Sequence, residues 1–342
     1  MINRMFKILA LPVALIAGLL SIAPAYSQDI HFSQFFEAPL LRNPSLAGIF
    51  TGDYRVQAVY RDQWNSVTDA YKTGSLNGEY KKPIGKADDF ITLGLQLFYD
   101  RAGTVGWTNT QVMPALNYHK SLSKERNMYV SLGFMGGWVQ QYFDRSRMTT
   151  NSQYDGLGDG ETFNDSKYNY VDGSVGMSFN TNISEDPNDN LFVGIAYHHF
   201  NRPKNSFYRN AAIELNPKWV ASAGIKFGLT DYSYLTIQAD HSRQGNFNET
   251  IGGALYGLKL GQDLDNPDYV IHGGLFTRLN DALIPVVKID YKPFSVALSY
   301  DVNISKLKTS SYGRGGFELS VSFLGFLDRE SSTINALHCP RF

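Results

Sequence analysis

One cysteine, Cys339, in 342 residues excludes an internal disulfide, and with it the stapled small-domain architectures of secreted proteins. In an oxidising compartment that thiol is buried and inert, paired between chains, or beside a partner. Neither sign of charge is in excess. Lys and Arg number 31 against 32 Asp and Glu, and the basic residues are dispersed, so the footprint of a nucleic-acid binder is missing. Beyond the first 27 residues there is no run of about 18 apolar residues, which excludes a spanning helix. Also missing are a G-x-S-x-G elbow, a P-loop, zinc spacing and a carboxylate pair that belongs in one site. His198 and His199 are neighbours in an expected strand, where they face opposite sides and cannot share a metal. His241 stands alone near a strand end. The expectation is a protein that is not an enzyme and carries no cofactor or metal.

What the chain does have is alternation. Val171, Gly173, Val175, Met177 and Phe179 oppose Asp172, Ser174, Gly176 and Ser178; Trp219, Ala221, Ala223, Ile225, Phe227 and Leu229 oppose Ser222, Gly224, Lys226 and Gly228. The same period runs through Ile91–Tyr99, Phe294–Val302 and Phe317–Phe323. A strand turns successive side chains to opposite faces, so each segment meets an apolar phase on one side and a polar phase on the other. A soluble β-sandwich alternates too. Here, however, the polar face is built of Gly, Ser, Thr, Asn and scattered charges and the apolar face ends in aromatics, as a wet lumen and interfacial girdles require. Phe and Tyr, at 22 and 21 residues, are plentiful enough for such belts.

Residues 1–27 carry Arg4 and Lys7, an apolar stretch from Ile8 to Leu20, and Ala25-Tyr26-Ser27 as a small-x-small cleavage site: a secretory signal peptide, too short to span a membrane. An exported chain with an amphipathic β pattern and no helical anchor belongs in an outer membrane, where only a closed barrel satisfies strand backbone in lipid. The expected organisation is signal peptide 1–27, an N-terminal plug or strap 28–50, a barrel 51–324 and a C-terminal tail 325–342. The fold class is all-β: a transmembrane antiparallel outer-membrane β-barrel.

About fourteen strands are expected, near 53–62, 71–81, 89–100, 107–119, 127–143, 168–180, 190–200, 218–229, 233–243, 249–260, 269–279, 283–292, 294–303 and 314–324. Pro114 and Pro285 fall inside two of them, and each calls for a bulge or a shifted boundary. An even count puts both termini on one side, the periplasm. The longest breaks, about 144–167 and 201–217, then fall outside, and the tight turn at Lys292–Phe294 falls inside.

Three stretches carry candidate function. Residues 28–50 are too irregular for a strand and bring Phe32, Phe35, Phe36, Leu40 and Leu41 together, apolar surface that needs shielding. With Gln34, and with Asn43-Pro44 as a turn, they read as a plug in the periplasmic mouth of the barrel or as a partner-docking strip. The tail, with Cys339, Pro340 and Phe342, folds back into the lumen or lies on a periplasmic protein. Outside, Tyr154, Leu157 and Phe163 of one long loop and Arg202, Phe207, Tyr208 and Arg209 of the other form a mixed surface suited to holding a protein. Asp155, Asp159, Glu161 and Asp165 miss the EF-hand pattern and read as a solvated acidic loop. Arg55, Arg61, Asp172, Lys226, Asp240, Lys288, Asp290 and Glu318 fall on lumen faces as ion-pair ladders.

The segment after the signal, with Gln28, Asp29, Phe32, Ser33 and Gln34, then Asn43-Pro44-Ser45-Leu46-Ala47-Gly48, then Tyr60-Arg61-Asp62-Gln63-Trp64, resembles the opening of the PorP/SprF family of type IX secretion membrane proteins of the Bacteroidota. Ser45 and Leu46 depart mildly from that family's pattern. Residues 299–307 and 313–323 resemble its last two strands, and Cys339–Phe342 its ending. The resemblance implies an outer-membrane component of type IX secretion that supports secretion or cell-surface anchoring of a cargo such as a large gliding adhesin. Its implied partners are outer-membrane lipid, type IX components, the C-terminal domain of the secreted adhesin and a periplasmic or outer-membrane lipoprotein. A core translocon barrel and a diffusion channel for a small solute are the alternatives.

Overall fold

Fourteen strands pair in chain order, and β1 pairs with β14, so the sheet closes on itself. They are β1 (Tyr54–Gln63), β2 (Tyr71–Ile84), β3 (Asp89–Ala102), β4 (Trp107–Ser123), β5 (Met128–Tyr142), β6 (Lys167–Asn182), β7 (Asn190–His198), β8 (Lys218–Thr230), β9 (Ser233–Gln244), β10 (Phe247–Leu260), β11 (Tyr269–Arg278), β12 (Ala282–Tyr291), β13 (Phe294–Asn303) and β14 (Arg314–Gly325). The computed structural model describes residues 29–63, 71–85, 88–156, 158–160, 165–184, 186, 189–207, 210, 212–261, 263, 267–305 and 313–327. The barrel and the segment from His31 form one unit; of the other, Met1–Ile30, only Asp29 and Ile30 are described.

Burial in this barrel is inverted relative to a water-soluble protein. On β13 the outward Leu298 is 53% exposed and its inward neighbour Ser299 2%. Around the wall, Leu93, Phe134, Val193, Trp219, Leu275, Val287 and Leu319 are exposed, while Asn77, Gln96, Asn117, Ser178, Gln238 and Glu318 are buried. An exposed band this apolar is stable only against lipid, and closure leaves no unpaired edge within it. The protein is an outer-membrane β-barrel. Among the described residues no helix is long and apolar enough to cross a membrane.

Each expected strand is present within a few residues. The two prolines behave differently from expectation: neither shifts a register. Leu283 pairs with Val302 and Val286 with Ser299, the same register on both sides of Pro285, and likewise Val112 pairs with Trp138 and Ala115 with Met135 around Pro114. The ladder skips two residues and resumes, because Pro removes one donor without lengthening the strand. Register shifts lie elsewhere, at Ser121/Ser123, Gly228/Thr230 and Tyr300/Val302. Connections after odd strands include the long 143–166 and 199–217; we call that rim the loop end. The rim where β1 begins and β14 ends, with the Lys292-Pro293 turn, is the turn end.

The chain from Phe32 to Phe50 lies inside the barrel. It has a 3-10 turn at Phe35–Glu37, a helical turn at Pro39–Arg42 and a second 3-10 turn at Pro44–Leu46, and every residue except Leu41 is buried.

Candidate functional site

The lumen is filled by this strap, and the wall is shaped to receive it. Four apolar seats hold its side chains. Phe35 and Phe36 enter a patch of Ile251, Leu255, Phe276, Ala282, Ile284 and Val286 on β10–β12; the Phe36 ring stacks on Phe276 at 5.2 Å. Phe32 packs edge-on against Phe98, near Val59. Leu40 and Ala47 sit on Met113, Ala115, Met135 and Val139, and Leu46 and Ile49 on Phe90, Tyr129 and Phe192. Each fully buried side chain of this size contributes about 1.5–3 kcal/mol.

Polar groups fix the strap's path. The Glu318 carboxylate accepts the backbone N–H of Ser33 and of Gln34, both at 2.7 Å, and the Gln34 amide donates to Ser299 Oγ and Glu318 O at 3.0 and 2.9 Å. Ser33 Oγ donates to Asp301 at 2.8 Å, and Arg278 and Arg61 pair with the same carboxylate at 2.7 and 3.2 Å. Glu37 binds Lys288 Nζ at 2.6 Å and accepts from Gln57. Arg42 forms a fork to Asp240, its Nε 2.6 Å from Oδ2 and its Nη2 2.6 Å from Oδ1, with Phe35 and Phe192 against the guanidinium faces. A planar fork is the group suited to a buried carboxylate, because both oxygens are satisfied at once.

The Asn43-Pro44 turn is pinned most tightly. The Asn43 carboxamide oxygen accepts from Ser45 N and Oγ at 2.9 and 2.8 Å, an Asx cap that starts the 3-10 turn. Asn117 donates to Ser45 O and Ala47 O at 2.6 and 2.8 Å, and His119 Nε2 donates to Ala47 O at 2.6 Å. The turn rests on two cross-strand glycines, Gly133 of β5 and Gly176 of β6. A Cβ on Gly133 would lie 2.5 Å from the Pro44 carbonyl carbon, and one on Gly176 would overlap the Asn43 side chain. Glycine is required there because the strap backbone lies directly on the wall. Gly48 follows at φ +85°, donating its N–H to Glu79 at 2.7 Å, while Lys81 holds Phe50 O at the same distance.

These partners correct two sequence readings. The strap is not confined to the periplasmic mouth: it runs the depth of the lumen. The charged lumen residues, read as ladders along the wall, include several that serve as clamps on the strap: Arg61 at the His31 carbonyl, Glu318 at Ser33-Gln34, Lys288 at Glu37 and Asp240 at Arg42. A third correction concerns the histidines. His199 lies beyond β7 at φ +57°, so the alternation ends there and both rings turn inward. His199 Nδ1 bonds Asp172 at 2.6 Å and His198 bonds Ser174 at 3.0 Å. His241 faces outward and bonds Thr250. Among the described residues no cluster of His, Cys, Asp and Glu is placed to hold a metal ion.

At the loop end, Tyr154 projects 91% exposed from a helical turn at Asn151–Tyr154, and Arg202 is exposed. Phe207 is buried instead. Its ring lies edge-on in an aromatic box of Tyr168, Phe143 and Trp107, with centroids at 4.5, 4.8 and 4.9 Å. It anchors the 199–217 loop across the rim of β4–β6 and offers nothing to a ligand. Leu157, Phe163, Tyr208, Arg209, Cys339, Pro340 and Phe342 lie outside the described residues. Sequence reading missed the apolar inner wall of β12. Its signal was the unbroken run Ala282–Val287, ALIPVV, where both faces of one strand are apolar.

The barrel is similar to the crystal structure of the toluene transporter TbuX of Ralstonia pickettii, with TM-score 0.53 and 8% identity over 85% of this chain and 94% of that one. It is also similar to the toluene transporter TodX of Pseudomonas putida, with TM-score 0.51 and 8% identity over 86% and 95%. At that identity the likeness is one of fold. No curated protein matches the chain in sequence. The family described as type IX secretion system membrane protein PorP/SprF matches residues 25–323, nearly the whole chain and including both the strap and the barrel. The chain belongs to the PorP/SprF family of type IX secretion system membrane proteins.

Proposed function

We propose that this barrel is a non-enzymatic part of type IX secretion that supports export of a secreted surface protein and holds it at the cell exterior, with the loop end outside and the turn end in the periplasm. The observation that carries this reading is the strap. A lumen crossed by nineteen residues, eighteen of them buried and clamped by ion pairs, is occupied by the protein itself. That argues against a diffusion channel and leaves the two rims as working surfaces. The exposed Tyr154 and Arg202 contribute to the outer surface, which suits an adhesin's C-terminal domain. The turn end suits a periplasmic or lipoprotein component.

The test is gentle detergent purification of the tagged barrel from its native outer membrane, with mass spectrometry of everything in stoichiometric amount. A secreted multidomain protein in the peak supports the anchor reading. A type IX component without cargo favours a core translocon role. A lone barrel from cells that make cargo overturns both.

A further inference from the structure

The strap is held in two different ways along its length. From Ser33 to Arg42 it meets six consecutive strands: Glu318 of β14 and Asp301 of β13 at Ser33-Gln34, the Phe276 seat of β10–β12 at Phe35 and Phe36, Lys288 of β12 at Glu37, and Asp240 of β9 at Arg42. Glu318 takes backbone N–H groups, which almost any residue supplies; the others select a hydroxyl, two rings, an acid and an arginine. From Asn43 to Phe50 the wall instead holds main chain. Asn117 and His119 donate to the Ser45 and Ala47 carbonyls, Lys81 donates to that of Phe50, Glu79 accepts from Gly48 N–H, and the Pro44 backbone lies on Gly133. The second set of contacts does not depend on the first. The turns at Phe35–Glu37 and Pro39–Arg42 have no side-chain cap and are too short to be stable alone, so the wall of β9–β14 imposes their shape.

We propose that the inner faces of β9–β14 are a peptide-binding groove, occupied here by the strap's own Ser33–Arg42, which a segment of the exported protein enters in the strap's place. The identity of that partner rests on the proposed function; the groove does not. The wall states what the entering segment must carry: two adjacent aromatic side chains for Ile251, Leu255, Phe276, Ile284 and Val286, an acid directly after them for Lys288, and an arginine five positions further on for Asp240. Entry is from the loop end. There the His31 and Glu249 side chains, paired at 3.1 Å, are partly exposed, as is Asp281 beside Arg278. Withdrawal of the first stretch leaves Asn43–Phe50 seated, so the strap returns when the groove empties. A tethered strap competes at an effective concentration on the order of millimolar, which a dilute free peptide does not match. A protein already docked at the rim presents its segment with the same advantage. Exchange is then between two tethered chains for one groove.

The groove is measured with a fluorescent peptide of the sequence of residues 31–42, HFSQFFEAPLLR, and a full-length barrel whose strap carries Phe35→Ala, Phe36→Ala and Arg42→Met. That host keeps every wall group. Heat-modifiable migration on gels checks that it is a folded barrel, and Arg42→Met alone is the host if the triple variant does not fold. The peptide should bind the host, and lysine in place of its glutamate should weaken binding about tenfold or more, because one partner of a buried pair is lost. No binding, or equal binding of the two peptides, would overturn the groove. Exchange is read on the full chain with Ala38→Cys, a position buried when the strap is seated, in a Cys339→Ser background. A small water-soluble methanethiosulfonate should label that thiol several-fold faster in barrels purified with their exported protein than in lone barrels. A loaded barrel as protected as a lone one overturns the exchange and leaves the secretory role standing. If no exported protein co-purifies, the secretory role falls and the exchange with it, while the peptide measurement still decides the groove.

Discussion

Arg42 of the strap and Asp240 of β9 meet inside the lumen as a two-pronged ion pair, with Nε 2.6 Å from Oδ2 and side chains only 4% and 9% exposed. Removing one member of such a pair leaves a charge without water or partner, which costs about 3–5 kcal/mol, whereas replacing both with apolar groups of similar volume is often neutral. Arg42→Met alone should therefore lower the urea midpoint of the detergent-folded barrel and open a conductance. Arg42→Met with Asp240→Leu should recover most of the stability. Equal losses in single and double variants would mean that the pair does not hold the strap.

Gly176→Ala should lift the strap without harming the wall. The new methyl group overlaps the Asn43 side chain, the cap of the Pro44 turn, and overpacking of this kind costs about 1–3 kcal/mol. Alanine itself is no worse than glycine in a strand interior, so the barrel still forms. Gly78→Ala is the control, since nothing lies within 4 Å of that Cβ. Trypsin cleavage at Arg42 should accelerate in the first variant and not in the second. The same rate in both would place the turn off the β5–β6 wall.

The lipid face makes its own prediction. Leu298 is mid-strand on β13 and faces outward. Leu298→Arg should cost about 2–4 kcal/mol when folding is measured into bilayers, as for a cation near the membrane midplane. Tyr154→Arg, on the exposed loop, should change stability by less than about 0.5 kcal/mol. Equal effects would mean that Leu298 does not face hydrocarbon.

The wall was legible because a strand with one wet and one oily face writes its period into the sequence: Phe294, Val296, Leu298 and Tyr300 point out and Ser295, Ser299 and Asp301 point in. Where that physics fails, reading fails with it. At Ala282–Val287 the inner face is apolar because Phe35 and Phe36 lie on it, a contact between residues almost 250 positions apart that no local pattern encodes. His199 defeated the same rule, since one left-handed residue ends the alternation. The Phe-rich strap announced that it needed shelter. Its depth did not follow, because that depends on which carboxylates and carbonyls wait across the lumen, as Glu318 does for Ser33 and Gln34.

Phe207 separates holding a loop from holding a cargo. Sequence alone put it with Tyr154 and Arg202 on one exposed surface, yet its ring is sealed among Tyr168, Phe143 and Trp107. Burying a phenyl ring is worth about 3–5 kcal/mol against alanine, and here it competes only with the ordering of a surface loop. Phe207→Ala should free the 199–217 segment while leaving the strands intact, so trypsin should cut after Lys204 several-fold faster with the barrel's urea midpoint nearly unchanged. Tyr154→Ala should do the reverse: no change in proteolysis, and loss of whatever secreted protein co-purifies with the barrel. If Phe207→Ala alone removes that cargo and Tyr154→Ala does not, the bound partner reads the shape of the anchored loop, and the exposed tyrosine is not part of the contact.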